Sequence, residues 1–386
     1  MMRVAFTLIG GRNWIGGYNY LLNLVRTLSI YRPDAITPVL FFGEDVVPAD
    51  AAPFEQLSGV EVVRDTAFDE KYKKSALIRS MVFGRDKMVQ SLFNQLRIDV
   101  VFECAQFNGW RLEQPAIAWI PDFQHRALPH LFTRSAYLKR EIGLRAQVMA
   151  GRTIMLSSED SRKDCERFYP SAVGRTQVVS FAVPATPRCS TVDSKKVIDK
   201  YELPAKFFFM PNQFWQHKNH LLVAEALSLL KARGRDDVVV VATGRTSDPR
   251  LPQYFSNLQT LIAKRGIEKQ FRILGLVPYG DLAPLMQASE ALVNPSLFEG
   301  WSTTVEEAKA AGVPMLLSDL DVHLEQAQGL AQFFDRYSAS SLAEALIGDF
   351  SKDTTSDECL ASAAQIRMKN FADTFVLLVQ TAAKVH

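Results

Sequence analysis

Short apolar segments alternate with longer amphipathic segments along most of this chain, in two successive series. The apolar segments lack the in-and-out alternation of a strand with one face in water, so each is expected to be buried in a parallel sheet covered on both faces. The first series predicts strands at Val4–Ile9, Thr37–Phe42, Val60–Val63, Val100–Cys104, Ala116–Ile120 and Thr153–Ser157, with helices at Tyr18–Ser29 and Lys139–Ala150. The second series predicts strands at Phe207–Met210, Val238–Thr243, Phe271–Leu274, Ala291–Asn294 and Met315–Ser318, with helices at His220–Arg233, Pro252–Arg265, Asp281–Ala288 and Thr304–Ala311. Since each series needs its own sheet, the pattern predicts an α/β chain of two Rossmann-like domains.

The two series are separated by Ala182–Thr191, which contains two prolines and has no helical period, and we predict that it is the linker. The predicted domains are residues 1–185 and 192–363, followed by a C-terminal helix over 364–386. The last stretch, Ser356–His386, is amphipathic. It can cover the second domain or pack back on the first, and the sequence leaves both open.

The charge balance argues against nucleic acid as a partner, because 44 basic against 42 acidic residues give a net charge of only +2. The cysteines are scattered singly and no histidine has the spacing of a metal ligand, so no metal site is expected. The N-terminal apolar run is interpreted as a strand rather than an export signal, and no apolar run is long enough to span a membrane. A cytoplasmic compartment fits these features best.

The most informative segment runs from Asn294 to Pro314, where a strand is followed by a turn with Gly300 and then by a helix that begins near Ser302 to Thr304. Unpaired N–H groups and the positive end of the helix dipole form an anion site, and the hydroxyls of Ser302, Thr303 and Thr304 add donors. Glu299 precedes the helix and Glu307 lies about one turn inside it, so both carboxylates are expected to face one pocket. The geometry therefore favours a diphosphate ligand.

The segment Glu299-Gly300-Trp301, with Glu307 eight positions after Glu299 and then Ala-x-Ala-Ala-Gly-Val-Pro, resembles the paired-glutamate motif of retaining glycosyltransferases of family 4. This resemblance implies the two-domain GT-B fold. It also implies that Glu299 approaches the transferred sugar, that Glu307 holds the ribose hydroxyls, and that the amides of Trp301 to Thr303 contact phosphate or sugar.

A second candidate segment, Phe207–His220, is a buried strand that leads through a polar loop into a helix. A lysine before a helix start can place its charge over a phosphate, and the resemblance implies that Lys218 contacts the donor diphosphate. Many family members carry an arginine several residues earlier, where this chain has Asn212 and Gln213. Gln213 is expected to line the donor site, and Arg245, next to Gly244, is a candidate for the second positive charge, although a solvated arginine fits equally well.

Two further segments belong to the first domain. Four glycines lie between the first strand and the first helix, and the resemblance implies that Gly16 and Gly17 let that helix start approach the donor phosphate. A flexible turn is the alternative. After the strand that ends at Ile120, either Asp122 or His125 is expected to orient an acceptor hydroxyl or bind the sugar.

Two weaker sequence signals concern the nucleotide base and a membrane surface. The strand Phe271–Leu274 resembles the family strand whose end presents backbone to the nucleotide base, which places Val277 near the base. Lysines and apolar residues are interleaved over Lys71–Phe83, which is compatible with contact with an anionic inner-membrane surface and equally with a solvated helix.

The sequence therefore predicts a retaining glycosyltransferase that moves a sugar from a nucleotide-diphosphate donor to a glycan or lipid-linked acceptor in polysaccharide synthesis, with no obligatory metal or cofactor. Two alternatives remain open. One is another GT-B enzyme, an epimerase or phosphorylase, and the other is a two-lobed protein that binds a small ligand.

Overall fold

The computed structural model describes residues 1–8, 15–104, 106–248, 250–350 and 356–384 of the chain. Two compact units follow from the contacts within them. Unit 1 contains Met1–Phe123, Arg134–Ala182 and the chain from Ile366 onward, and unit 2 contains Gln124–Thr133 and Val183–Gln365. Among the described helices, none is both long and apolar enough to cross a bilayer.

Unit 1 is built on a parallel sheet in the order β3-β2-β1-β4-β5-β6-β7. Its strands are β1 (Met2–Thr7), β2 (Ile36–Phe42), β3 (Glu61–Arg64), β4 (Val100–Cys104), β5 (Ala116–Trp119), β6 (Thr153–Leu156) and β7 (Thr176–Val178). Its helices are α1 (Ile15–Tyr31), α2 (Pro48–Glu55), α3 (Glu70–Phe83), α4 (Lys87–Gln95), α6 (Arg134–Met149) and α7 (Glu159–Phe168), together with part of α15 (Asp357–Lys384). Every residue of β4 and β5 is buried, as expected for central strands covered on both faces.

Unit 2 is built on a second parallel sheet in the order β10-β9-β8-β11-β12-β13. Its strands are β8 (Phe208–Met210), β9 (Val240–Thr243), β10 (Phe271–Gly275), β11 (Leu292–Asn294), β12 (Met315–Ser318) and β13 (Ala331–Phe334). Its helices are α5 (Gln124–Ala127), α8 (Thr191–Lys200), α9 (His220–Ala232), α10 (Tyr254–Arg265), α11 (Tyr279–Ala288), α12 (Thr303–Ala311), α13 (Asp321–Ala327) and α14 (Ala339–Leu346). The strand order reverses between β8 and β11, which is where sheets of this kind bind their ligands.

The last helix, α15 (Asp357–Lys384), begins in unit 2 and from Ile366 belongs to unit 1. Phe371 and Phe375 are buried in the core of unit 1, where the ring of Phe375 lies 6.0 Å from that of Phe6 and 5.6 Å from that of Phe102. Both of these partners lie on central strands, so the end of the chain completes the core formed by its beginning. The last two residues of the predicted helix over 364–386 lie outside the described residues.

The predicted α/β class with two parallel sheets is confirmed, and each predicted strand is found within about two residues of its expected ends. The edge strands β7 and β13 were not predicted. The predicted first domain, residues 1–185, differs from unit 1 because Gln124–Thr133 groups with unit 2. The unit boundary after Ala182 lies within the predicted linker Ala182–Thr191, whose last residue is the first residue of α8.

Candidate functional site

The site in unit 2 lies at the carboxyl ends of β8 and β11, the two strands between which the order reverses. A loop of residues 211–219 follows β8, and a loop of residues 295–302 follows β11. The two loops are joined by their backbones, because the N–H of Leu297 donates to the carbonyl of His217 over 2.7 Å. The topology therefore brings together two sequence segments that are about eighty residues apart.

Lys218 and Glu299 meet at this edge. The Lys218 ammonium donates to Glu299 Oε1 over 2.6 Å, and the side chains are only 14% and 9% exposed. Burial by itself raises the pKa of the Glu299 carboxyl, but the charge of Lys218, the nearby His323 and hydrogen bonds from Lys218 and Ser296 outweigh it, so the pKa is lowered. Glu299 is therefore an ionised carboxylate at neutral pH, held next to a cation.

The loop that carries Glu299 is fixed by Asn294, a buried residue at the end of β11. Its Oδ1 accepts a hydrogen bond from Ser296 Oγ over 2.6 Å, and its Nδ2 donates to Ser302 Oγ over 3.0 Å. Ser296 Oγ also lies 2.7 Å from Glu299 Oε1. Asn294 and Ser296 were not predicted as site residues, although a polar side chain at the end of an apolar strand is a signal that could have identified Asn294.

His323 is a further residue to which the sequence analysis gave no role. It is fully buried, and its Nδ1 lies 2.9 Å from the carbonyl oxygen of Ser318. A carbonyl only accepts, so Nδ1 carries the proton and Nε2 is a bare acceptor, which has no hydrogen-bond partner within the described part of the chain. Burial lowers the pKa of His323 more than the charge of Glu299 raises it, which leaves a neutral imidazole near the carboxylate.

The start of α12 has fewer available donors than the sequence predicted. The Ser302 N–H donates to Gln326 Oε1 over 3.1 Å, and its hydroxyl accepts from Asn294 as described. Ser302 is buried and both its N–H and its hydroxyl have partners within unit 2, so the phosphate contact predicted for them stays a prediction. The exposed Thr303 and the half-buried Thr304 stand at the helix start, and their N–H groups make no hydrogen bond among the described residues. Gly300, which is buried, and Trp301, which is half-buried, form the preceding turn.

The two consecutive glutamates of α12 have different surroundings. Glu306 is 1% exposed and accepts from Lys309 Nζ over 3.1 Å and from Gln326 Nε2 over 3.0 Å. Glu307 is half-buried, and burial raises its pKa to about 7. The Glu306 carboxylate is therefore hydrogen-bonded within the interior of unit 2. Glu307 is the carboxylate of α12 that remains for a ligand.

The loop after β9 packs directly on the loop after β8. Gly244 has a φ of +145°, and a Cβ at this position would lie 2.5 Å from the carbonyl oxygen of Asn212, so only glycine fits. The Arg245 N–H donates to Gln213 Oε1 over 2.9 Å. This hydrogen bond occupies the side-chain oxygen of Gln213, which was predicted to line the nucleotide-sugar site. The Arg245 side chain is exposed and makes no ion pair among the described residues. Val277 lies two residues beyond β10 and packs its side chain against the core of unit 2.

Arg250 supplies a half-buried positive charge that was not predicted from the sequence. Its guanidinium donates to the buried Asp248, lies 3.5 Å from His217 Nδ1, and stacks over the ring of Trp215. It also donates to Gln124 Oε1 over 2.8 Å, which explains why Gln124–Thr133 groups with unit 2. Arg250 thus places its guanidinium beside the Lys218 loop, whereas Arg245 contacts that loop through its backbone and has an exposed side chain.

The predicted residues of the first half lie in different units. In unit 1, the Asp122 carboxylate accepts from Arg140 over 2.6 Å. His125 is fully buried in unit 2 with its ring 6.4 Å from that of Phe132. In unit 1, Gly16 and Gly17 lie in the first turn of α1, while the preceding glycines, within residues 9–14, lie outside the described residues.

Comparison with known proteins shows which family and which fold the chain is similar to. Residues 193–365 match the family model described as Glycosyl transferases group 1. Two curated relatives are O-antigen chain mannosyltransferases: RfbU of Salmonella typhimurium, 26% identical over 136 residues, and mannosyltransferase B of Escherichia coli, 25% identical over 215 residues. These alignments cover 35% and 54% of this chain and 36% and 54% of the relatives, so the chain spans about a third and about half of their lengths.

The fold is also found among solved structures. Anabaena HepE in complex with UDP and glucose is 18% identical and has a TM-score of 0.66, with 100% of this chain and 99% of that chain covered. Residues 193–365 are thus similar to the Glycosyl transferases group 1 family, and the fold of the chain is that of the GT-B glycosyltransferases.

Proposed function

We propose that this protein is a retaining glycosyltransferase that moves a sugar from a nucleotide-diphosphate donor to a glycan or lipid-linked acceptor in the synthesis of a cell-surface polysaccharide. The observation that carries the proposal is the buried pair of Lys218 and Glu299 at the reversal point of the unit 2 sheet, beside the start of α12. A cation, an ionised carboxylate and unpaired helix N–H groups are the parts that a sugar diphosphate needs.

The diphosphate is held by Lys218 and by the N–H groups at the start of α12. An ammonium has three N–H donors, and Lys218 uses one of them on Glu299. The other two can bind phosphate oxygens, and the N–H groups of Thr303 and Thr304 add the positive end of the helix dipole. Arg250 lies beside this loop and adds to its positive potential, although Asp248 offsets much of its charge.

The same groups stabilise the transition state. As the bond between the sugar anomeric carbon and the diphosphate oxygen breaks, its electron pair passes to the diphosphate, whose charge grows next to Lys218. The acceptor oxygen bonds to the anomeric carbon on the face that the diphosphate leaves, and its proton passes to the departing phosphate oxygen. Glu299 accepts hydrogen bonds from sugar hydroxyls and fixes the ring for this attack.

The ribose is held by Glu307. A carboxylate can accept from two neighbouring hydroxyls at once, and Glu307 lies one turn inside the helix whose start binds the diphosphate. We propose that no metal ion or prosthetic group is required, because Lys218 and the helix start supply the positive charge that the leaving group needs.

The relatives suggest the first donors to test. Two are named mannosyltransferases, and the HepE structure holds UDP and glucose, so mannose and glucose donors are the first choices. The experiment measures nucleotide release with UDP-, GDP-, ADP- and dTDP-sugars, followed by NMR of the anomeric configuration of the product. Release that is lost in Lys218→Ala and Glu299→Ala, with a retained configuration, is the expected result.

Other outcomes would replace the proposal. Conversion of the sugar nucleotide without transfer indicates an epimerase, and sugar release that depends on inorganic phosphate indicates a phosphorylase. Calorimetry separates the remaining alternative, since a two-lobed binding protein takes up free sugar and shows no heat with a nucleoside diphosphate.

A further inference from the structure

Helix α3 in unit 1 reverses the usual placement of apolar residues. A helix of a globular domain normally turns its apolar side chains to the core. In α3 the fully buried residue is Ser80, whereas Ile78, Val82 and Phe83 are 61%, 68% and 70% exposed. The most apolar side chains of this helix therefore face away from the domain.

The helix is held in place by polar contacts instead. Arg79 donates to the buried Asp86 over 2.5 Å, and the Trp110 indole N–H donates to the carbonyl of Met81 over 3.2 Å. At the end of the helix, a Cβ on Gly109 would lie 2.1 Å from the carbonyl oxygen of Gly84, so the loop after β4 is in direct backbone contact with α3. The exposed apolar residues are not needed to attach the helix.

These residues form part of a larger mixed surface, which we call the α3 surface and define as Lys74, Ile78, Val82, Phe83, Met88 and Trp110. Lys74, Ile78 and Val82 are spaced by four and share one helix face. Met88 is 56% and Trp110 38% exposed. The surrounding segment, residues 69–87, carries six basic and three acidic residues, so its excess of three positive charges exceeds the net charge of +2 of the entire chain.

We propose that the α3 surface is a docking site for an anionic lipid bilayer. Exposed aliphatic and aromatic side chains with neighbouring lysines are the features by which a helix lies in a membrane interface, where tryptophan is also favoured. Anionic headgroups attract the lysines, while a second copy of the same positively charged surface is repelled. The inference extends the proposed function, because the loop after β4 follows the carboxyl end of the unit 1 sheet, and a lipid-linked acceptor would be presented at such a bilayer.

The test is vesicle co-sedimentation of the full chain without donor or acceptor. The protein is expected to bind phosphatidylcholine vesicles that contain phosphatidylglycerol, to bind pure phosphatidylcholine far less, and to be released by salt. Lys71→Gln and Lys74→Gln should each lower binding about fivefold. Val82→Glu combined with Phe83→Glu should abolish it. A double variant at two exposed apolar positions of α15, Ile366→Glu with Leu377→Glu, is the matched control and should bind like the wild type.

Because the substituted positions are exposed, the variants are expected to fold like the wild type. Near-UV circular dichroism verifies this. Absence of binding to anionic vesicles, equal binding to neutral vesicles, or unchanged binding of the Val82→Glu/Phe83→Glu variant would overturn the proposal. A dimer in sedimentation equilibrium that this variant converts to a monomer would assign the surface to a second copy. Lys218→Ala is expected to bind vesicles like the wild type, so loss of transfer and loss of membrane binding are separate outcomes.

Discussion

The ammonium of Lys218 donates to Oε1 of Glu299 over 2.6 Å, although the two residues are 81 positions apart and follow different strands of the unit 2 sheet. Both side chains are largely buried, so each neutralises a charge that would be costly alone. In the proposed reaction a diphosphate takes up the remaining donors of Lys218. The two side chains are thus coupled energetically in the fold, and in the proposed reaction they form the centre of the donor site.

The first prediction concerns the stability of this pair. Lys218→Met leaves a buried carboxylate without its cation and is expected to lower the free energy of unfolding by about 3–5 kcal/mol. Lys218→Met combined with Glu299→Gln removes both charges and should recover most of that loss. Urea unfolding measures both variants. Equal losses in the single and double variants would show that the two side chains are not energetically coupled.

The second prediction separates the adjacent glutamates of α12. Glu306→Gln deprives the buried Lys309 of its carboxylate and is expected to destabilise the fold by about 3–5 kcal/mol, with nucleotide affinity unchanged while the protein remains folded. Glu307→Gln should not lower the stability and should weaken nucleoside diphosphate binding. Thermal unfolding and calorimetry together test this assignment. The opposite pattern would mean that Glu306 is the residue that meets the ribose.

The third prediction is a pH dependence of donor binding. Burial raises the pKa of Glu307 to about 7, so the carboxyl is mostly protonated at pH 6 and mostly ionised at pH 8. Ribose hydroxyls donate more strongly to the ionised form, and affinity for a nucleoside diphosphate should rise up to about tenfold between these values. Calorimetry across this range provides the measurement, and Glu307→Gln is the control that should bind with little pH dependence.

The same shift acts on stability with the opposite sign. The pKa of Glu307 in the folded state is above its ordinary value of 4.5, so ionisation is unfavourable in the unliganded protein. Its contribution to stability is present below the unfolded pKa and is lost as the pH rises through about 7. Glu307→Gln is therefore expected to be more stable than the wild type at pH 8 in the absence of nucleotide.

Local sequence patterns were sufficient for the sheets and for the two loops of the site. Buried parallel strands appear as apolar runs, and Lys218 and Glu299 were predicted from their positions just before helix starts and from the resemblance to family 4 glycosyltransferases. The edge strands Thr176–Val178 and Ala331–Phe334 were missed because a glutamine interrupts the apolar run in each of them.

The inward orientation of Ser302 and the contacts of Arg250 depend on partners far away in the sequence. Gln326 takes the N–H of Ser302, and Gln124 and Asp248 take the guanidinium of Arg250. No periodicity or spacing encodes such pairs. The sequence could therefore predict which loops form the site, but not which of their donors remain available to a ligand.

The fourth prediction concerns Arg250, which joins the loop of Lys218 to the segment Gln124–Thr133. Arg250→Ala leaves the carboxylate of Asp248, which is 2% exposed, without its cation, and is expected to cost about 3–5 kcal/mol of stability. Arg250→Lys should restore only part of it, because an ammonium lacks the planar fork that reaches Asp248 and Gln124 together.

The exposed pair of Arg235 and Asp237 provides the matched control for this prediction, since Arg235→Ala should cost no more than about 1 kcal/mol. Limited proteolysis gives a second measurement, because loss of the hydrogen bond from Arg250 to Gln124 should expose residues 124–133 to cleavage in Arg250→Ala and leave them protected in Arg235→Ala. Equal stability and equal protection in the two variants would show that Arg250 does not hold this segment in unit 2.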